Sequence, residues 1–309
     1  MTKNKIIIDC DPGCDDAIAL IAFLTSPLFD VVGITSIGGN VDPVKTQNNA
    51  LGIAALVGRT DVPVFSGAHK PLQKKAVLAD DIHGESGVAG LVLPMDVAAP
   101  PRKDMDAADF IISETKKQPG DITLVVIGPM TNIAIALQRD ATLPSRVKEI
   151  ITMGGAFGDP GGNMSPYAEF NIFCDPHAAA LVYDAFDKIT VYPLDATHKA
   201  LQGQKLRDQI ATISPRGANV ANMLYEYGRT YPGMVDKQSP LHDFHTFAGL
   251  VDPSLHSYAY GRVSVVVDGT EEGRTVLALN DVGPMRVALG LDIERFFKIL
   301  MSAMEKGLA

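Results

Sequence analysis

Four carboxylates stand within one short segment, Asp9-Cys10-Asp11-Pro12-Gly13-Cys14-Asp15-Asp16, directly after the apolar run Ile6-Ile7-Ile8. Two like charges about 4 Å apart repel by roughly 4 kcal/mol at an effective dielectric near 20. A strand end that crowds them this way needs a cation to offset the repulsion, and hard oxygen donors at short spacing suit calcium or magnesium rather than zinc. On spacing alone, Asp11 and Asp16 are metal carboxylates, and Asp243, far along the chain beside His242, could supply a third. Asp16 and Asp243 also each open an apolar helical run, where aspartate is a favoured N-cap, so capping stands beside metal binding for both. No Cys/His pair completes a zinc site around Cys10 and Cys14 at the usual spacing. With Cys174 they make an odd, small set that reads as buried thiols rather than a disulfide framework.

The elements that must position these groups follow from periodicity. Residues 5–9 read as a strand and 15–26 as a helix, with Ala17, Leu20, Ile21 and Leu24 on one face and Pro27 closing it. Strands at 29–36, 62–66, 122–127, 147–153 and 189–192 then alternate with helices at 44–57, 106–117, 130–139 and 176–186. Near-continuous apolar strands in that alternation indicate a mostly parallel sheet covered on both faces. Further on, strands at 261–267, 274–279 and 285–289 make a small, partly antiparallel C-terminal extension, and 293–304 is a closing amphipathic helix. The expectation is a single α/β domain over residues 1–309, an open, mostly parallel sheet flanked by helices with a Rossmann-like core.

Three segments break the pattern: 80–94, 157–170 and 222–240, the last carrying Tyr225, Tyr227 and Tyr231. Long loops in a compact domain commonly wall a site. In open parallel sheets ligands sit beyond the carboxyl ends of strands. The Asp cluster, Gly38-Gly39-Asn40, Gly128-Pro129-Met130-Thr131-Asn132 and Gly154-Gly155 each follow a strand, so they should converge on one sheet edge. Thr131 and Asn132 read as a helix start, not as ligands.

Composition narrows the partners. A hydrophobic content of 46% in 309 residues is ample for a large core. The net charge of -9, with no Lys/Arg run, argues against a nucleic-acid polymer. No stretch approaches the roughly 20 apolar residues of a membrane span, and three isoleucines after Lys5 do not make a signal peptide. The expectation is a cytoplasmic protein without membrane contact.

The segments DCDPGCDDAIAL at 9–20, GGN at 38–40, HGESG at 83–87, GPMTNIAIAL at 128–137, MGGAF at 153–157, NMSPYAEFNIFCDP at 163–176, HDF at 242–244 and RVALGLDIERFF at 286–297 together resemble the nucleoside hydrolases of the inosine-uridine-preferring type. One segment alone would be weak, but the set in this order is specific. The resemblance implies calcium-dependent hydrolysis of the N-glycosidic bond of small-molecule ribonucleosides, giving ribose and free purine or pyrimidine base for salvage, by a homodimer or homotetramer. By motif position it implies Ca2+ bound by Asp11, Asp16, the backbone carbonyl of Ile127 and Asp243. Asp11 would also be the general base, with Asp9 the alternative. Ribose would be held by Asp15, Asn40, Asn163, Glu169 and Asn171, with Met153 touching it.

His242 would then be the acid or hydrogen-bond donor to the leaving base, and His83 and one of the three tyrosines would stack on or cap that base. Simpler readings exist for several: Asn40 as a turn residue, Asn163 and Glu169 as solvated loop side chains, Met153 as an apolar strand end, His242 as structural. The chain departs from the family after His242-Asp243, where many members have Pro-Cys and this one has Phe244-His245-Thr246. That adds an imidazole near the expected base pocket and leaves base preference open. Asp9-x-Asp11 is also similar to the start of magnesium phosphatases of the haloacid dehalogenase type, although Pro12-Gly13 follows where those have Thr or Val. A catalytically silent ribosyl-binding protein is the other alternative, against which the intact Asp11, Asp16, Asn171 and Asp243 speak.

Overall fold

The computed structural model describes residues 3–309. Its elements run β1 (Asn4–Cys10), α1 (Cys14–Thr25), β2 (Phe29–Ser36), α2 (Pro43–Leu56), β3 (Val64–Ser66), α3 (Asp80–His83), α4 (Ala107–Lys117), β4 (Ile122–Val126), α5 (Thr131–Arg139) and β5 (Glu149–Met153). There follow α6 (Phe170–Cys174), α7 (Pro176–Ala185), β6 (Ile189–Tyr192), α8 (Leu194–Thr197), β7 (Leu201–Gln202), α9 (Gln204–Ala211), α10 (Pro215–Thr230) and β8 (Ser239–Pro240). The chain closes with α11 (Phe244–Val251), β9 (Tyr258–Val265), β10 (Thr275–Leu279), β11 (Met285–Ala288) and α12 (Ile293–Leu308).

Nine strands form one sheet in the order β10-β9-β11-β6-β5-β4-β1-β2-β3. Every pairing from β11 through β3 is parallel, while β9 runs antiparallel to both of its neighbours. The run β3-β2-β1-β4-β5-β6 is the strand order of the doubly wound fold, whose direction of winding reverses between β1 and β4. A crevice opens at that reversal. The expected α/β class, parallel core and antiparallel C-terminal extension are all present.

β1 shows why the sheet is covered on both faces. Ile6 and Ile8 enter one apolar core with Leu20, Ile53 and Leu300, while Ile7 enters the other with Phe110, Ile133 and Val182. Alternate side chains of a strand point to opposite faces, so a run of three isoleucines must be buried twice over. Helix α1 is buried continuously from Cys14 to Leu24. An all-round apolar helix is an interior helix, and packing on α2, α11 and α12 encloses it.

Two expectations need correction. The segment 222–240 is not one long loop: α10 carries Tyr225 and Tyr227 and ends only at Thr230. Ser214 Oγ accepts from the Arg216 and Gly217 amides, Pro215 opens the helix, and Val220, Met223, Leu224 and Tyr227 bury one face at helical spacing. The cluster of tyrosines and glycine disguised that period. Within 80–94 the short helix α3 forms, and α6, α8 and the two-stranded β7–β8 sheet were not anticipated. Elements this short contain no full period to read.

Buried carboxylates tie the strand ends together. Asp9 Oδ1 accepts from Thr35 Oγ1 at 2.5 Å and Asn132 Nδ2 at 2.8 Å, joining β1, β2 and α5. Asp175 accepts from Thr131 Oγ1 at 2.8 Å, the Leu72 amide at 2.8 Å and the Ala178 amide at 3.1 Å. Thr131 and Asn132 thus do begin a helix, and their side chains brace the site from behind. Asp175→Ala should lower unfolding stability by about 2–4 kcal/mol, since buried donors left unpaired cost roughly 1–3 kcal/mol each. The expected result in urea denaturation is a lower midpoint with an unchanged slope.

Candidate active site

The acidic segment lies where β1 meets α1, at the reversal of the sheet. β1 ends at Cys10, Pro12-Gly13 turns the chain, and Asp15 and Asp16 occupy the first turn of α1, where the helix N-terminus favours negative charge. Asp16 Oδ2 accepts from the Gly13 amide at 2.9 Å and from Asn40 Nδ2 at 3.0 Å. Asp11 Oδ2 accepts from the Asn40 amide at 2.8 Å, and Asn40 Nδ2 also donates to the Asp11 carbonyl at 3.1 Å. Asn40 is therefore more than a turn residue, because both of its nitrogens orient the acidic cluster.

Three motif glycines make the approach possible. A Cβ at Gly39 would strike Asp11 Oδ2, one at Gly128 would come within 2.7 Å of Asp11 Oδ1, and one at Gly13 within 2.6 Å of Asn40 Nδ2. Three further oxygens, Asp9 Oδ2, Asp11 Oδ1 and Asp16 Oδ1, are buried and have no hydrogen-bond partner among the described residues. Asp243 heads α11 yet its carboxylate makes no capping bond, so capping does not account for it. Asp16 uses one oxygen as a cap and leaves the other free.

Carboxylate oxygens of Asp15, Asp16 and Asp243 lie within 4.8 Å of one another and form a cluster able to hold a metal ion. Asp15 belongs to this group in place of Asp11, a difference from the set expected on motif position. Hard, buried oxygen donors fit a calcium- or magnesium-sized divalent cation.

Above the cluster opens a cavity of about 300 Å³. Asp15, Asn40, His83, Ile127, Met153, Asn163, Glu169, Asn171, His242 and Asp243 all line it, whereas Asp11 and Asp16, fully buried, lie behind its wall. The fold thus brings the acidic, amide and imidazole candidates from residues 11 to 243 to one place, but not Tyr225 or His245. Of the tyrosines, Tyr227 and Tyr231 line the cavity. Tyr225 instead turns its hydroxyl to Lys237.

Each wall has its own support. Glu169 Oε1 accepts from the Asn171 amide at 2.9 Å, and Oε2 from Gly155 at 2.9 Å and Ile172 at 3.2 Å, so this side chain caps α6 rather than waving in solvent. Asn171 Nδ2 donates to the Ile127 carbonyl at 3.1 Å and the Met153 carbonyl at 3.3 Å, joining the ends of β4 and β5. His83 Nδ1 accepts from the Cys14 amide at 3.1 Å and its ring stacks on Tyr227 with centroids 5.2 Å apart. His242 lies between Thr197 Oγ1, 2.7 Å from Nδ1, and the Tyr231 hydroxyl, 2.9 Å from Nε2.

The imidazole expected beside the base pocket is elsewhere. His245 is buried against Phe296, with Nδ1 3.0 Å from His256 Nε2, and does not line the cavity. α11 rotates it away from the face that Asp243 presents. Residues that the sequence did not announce are Thr197, on the four-residue α8, and the apolar Leu78, Ala79, Ile82 and Phe170 of the cavity wall. Nothing in their spacing could have signalled them.

Burial controls the electrostatics. Desolvation pushes the carboxyl pKa of Asp11, Asp15 and Asp243 well above the usual range, with the neighbouring carboxylates adding to it. Desolvation raises Asp16 to about 6, with the hydrogen bond from the Gly13 amide opposing the rise. Burial raises Asp9 and Glu169 to about 7 each. It acts oppositely on the imidazoles, pulling His83 to about 3 and His242 well below its ordinary value. A proton-rich acidic floor thus faces uncharged imidazoles.

The chain-wide likenesses agree with this arrangement. Residues 6–298 match the model of the family described as inosine-uridine preferring nucleoside hydrolase. The chain is 42% identical over 285 residues to the pyrimidine-specific ribonucleoside hydrolase RihA of Shewanella woodyi, covering 90% of this chain and 88% of that protein. Among solved structures, the purine-preferring ribonucleoside hydrolase from Gardnerella vaginalis superposes with a TM-score of 0.91 at 33% identity, over 99% of this chain and 100% of that one. A plant nucleoside hydrolase gives 0.90 at 33% identity, over 98% and 99%. Fold and site define a hydrolase of the doubly wound class. The chain belongs to the inosine-uridine preferring nucleoside hydrolase family and acts on ribonucleosides.

The raised carboxyl pKa values have a thermodynamic consequence. Between about pH 4 and about pH 7 these carboxyl groups in the metal-free folded protein keep protons that the unfolded chain has released, so their contribution to stability is full at the acid end and falls as pH rises through the folded values. The buried imidazoles, lowered by folding, act in the opposite sense below about pH 6.5. In chelator, the melting temperature should drop from about pH 6.5, above which the unfolded imidazoles no longer hold protons, to about pH 8. Saturating calcium or magnesium should flatten that slope, because a cation replaces the protons. A melting temperature in chelator that rises over the same interval would contradict the proton-rich floor.

Proposed function

We propose that this protein is a calcium-dependent ribonucleoside hydrolase that splits the N-glycosidic bond of salvage nucleosides into ribose and free base. The observation that carries the reading is the set of buried, unbonded oxygens on Asp11 and Asp16 beneath a cavity whose opposite wall is a neutral imidazole joined to a tyrosine. Asp16, Asp243, the Ile127 carbonyl and the Asp11 or Asp15 carboxylate would hold the cation. When bound, calcium would neutralise the floor, grip ribose hydroxyls and make water easier to deprotonate.

Asp11 acts as general base. Its Oδ2 is held by the Asn40 amide while Oδ1 is free to take a proton from the attacking water. Asp9 is the weaker candidate, since Thr35 and Asn132 already occupy one of its oxygens and turn it to bracing β1 against β2 and α5. Asp15, Asn40, Asn163, Glu169 and Asn171 hold the ribose, with Met153 beneath it. Their carboxylates and amide oxygens favour a sugar that gains positive charge as the bond to the base breaks. The stacked His83 and Tyr227 rings form a flat wall for the base, and His242 with Tyr231 supplies the hydrogen bond to it. Burial keeps His242 uncharged, which suits it to hydrogen bonding rather than to carrying a permanent charge.

Two further parts of the reading rest on single features. Three buried, unbridged cysteines fit a reducing cytoplasm. Assembly as a homodimer or homotetramer is supported by the outermost strand β10, which has no charge or proline and exposes Val276 and Leu279.

A panel of inosine, adenosine, guanosine, uridine and cytidine with ribose detection tests the activity. It also settles the base, because the similar proteins named above include a pyrimidine-specific and a purine-preferring one. Asp11→Asn should lower kcat by a factor on the order of a hundred or more, with ribose binding less affected. Near wild-type turnover would remove Asp11 from the base role, and tight nucleoside binding without turnover by the calcium-loaded wild type would favour a silent binding protein.

The wall also excludes phosphate. Beyond the carboxylates that calcium would neutralise, Asp81 and Glu169 line the cavity and no lysine or arginine does, so a phosphate would enter without a cationic side chain to pair its charge. Uridine monophosphate should therefore be cleaved on the order of a hundred-fold less efficiently than uridine. Comparable kcat/KM for the two would show that the charge of the wall does not select the substrate.

A further inference from the structure

Thr197 is the last residue of α8 and is fully buried. Its hydroxyl oxygen lies 2.7 Å from His242 Nδ1, and among the described residues it makes no other hydrogen bond. A hydroxyl carries one hydrogen, and a neutral imidazole carries one N–H and one bare nitrogen. If Thr197 accepted from Nδ1–H, its own hydrogen would be buried with nowhere to go, which native interiors avoid. Donation from Thr197 to Nδ1 satisfies both atoms. The ring proton must then sit on Nε2, which donates to the Tyr231 oxygen at 2.9 Å. With that oxygen already accepting, the Tyr231 hydrogen is free to point away from His242. Tyr231 lines the cavity, and its other near neighbours are His198 Nε2, at the longer distance of 3.4 Å, and the side chain of Asn163, itself a cavity residue.

We infer that Thr197 is a positioning residue for departure of the base: its hydroxyl locks His242 as the Nε2–H tautomer, which turns the Tyr231 O–H toward the cavity as the donor that meets the leaving base. This rests on the nucleoside hydrolase reading and deepens it. The group that touches the base is then the tyrosine, and the imidazole acts through it. As the C–N bond breaks, its electron pair goes to the base nitrogen, and a hydrogen bond aimed at the base is worth most when that charge gathers. The opposite tautomer would send the Tyr231 hydrogen back to His242 and present only lone pairs to the base.

The test uses the calcium-loaded full chain with histidine nitrogens isotopically labelled. NMR of the wild type should show His242 with a bare Nδ1 and a protonated Nε2. Thr197→Val, which keeps the side-chain shape, should mix the two tautomers, and Thr197→Ser should restore the first. In kinetics, Thr197→Val should lower kcat on uridine and inosine on the order of ten- to a hundred-fold, with KM little changed. It should leave para-nitrophenyl riboside, whose leaving group needs no donor, within about two-fold. Thr197→Ser should recover most of the loss. A wild-type His242 protonated on Nδ1, equal losses on both substrate classes, or unchanged nucleoside turnover in Thr197→Val would each overturn the inference. A wild type inactive on all ribosides would instead sink the functional reading, and the NMR signal alone would then decide how Thr197 orients His242.

Discussion

Mutual repulsion among buried carboxyl groups is the constraint around which this molecule is built. Asp11, Asp15, Asp16 and Asp243 are almost wholly removed from water, and burial together with their neighbours raises the cost of ionising them. A chain accepts such a cluster only where surrounding structure over-determines it. Here the reinforcement is specific. The Asn40 amide and side chain pin two of the carboxylates, Gly39 and Gly128 let Asp11 come close to neighbouring backbone, and the first turn of α1 directs its dipole at Asp16. Asp9, Asn132, Thr131 and Asp175 brace the strand ends one layer further out.

The sheet order explains why one cavity can hold groups so far apart in the chain. β1 and β4 are adjacent, but the connections that leave them pass to opposite sides, so their carboxyl ends open a crevice. Around it gather Asp11 just past the end of β1, Asp15 and Asp16 from the first turn of α1, the Ile127 carbonyl just past β4, Met153 from β5 and Asp243 at the start of α11. Beside these carboxylates the cavity is also lined by the aromatic and imidazole rings of His83, Tyr227, Tyr231 and His242. A sugar becoming positive and a base becoming negative as their bond breaks would each meet the polarity that favours it.

Much of this was legible in the chain because the chemistry sits in short, ordered motifs at the ends of apolar strands. Ile6-Ile7-Ile8 followed by crowded aspartates announces both a doubly covered strand and an acidic turn. The antiparallel C-terminal strands were equally readable from their short connections. What was not legible depends on tertiary contact. Thr197 lies in a helix of four residues with no motif, and its importance comes only from the imidazole of His242 being beside it. Tyr225, Tyr227 and Tyr231 look alike in sequence, yet helical rotation sends the first to Lys237 and the other two to the cavity. His245 was misplaced for the same reason: it follows Asp243 by two residues, which on α11 points it into the core.

The bond from the Cys14 amide to His83 Nδ1 attaches the aromatic wall to the same turn of backbone that carries Asp15 and Asp16, and Asn49 strengthens the joint by donating to the Pro12 and Ser86 carbonyls at 3.0 and 2.8 Å. The span from acidic floor to stacked ring is thereby gauged by a few residues of main chain, against which any guest is measured as it enters.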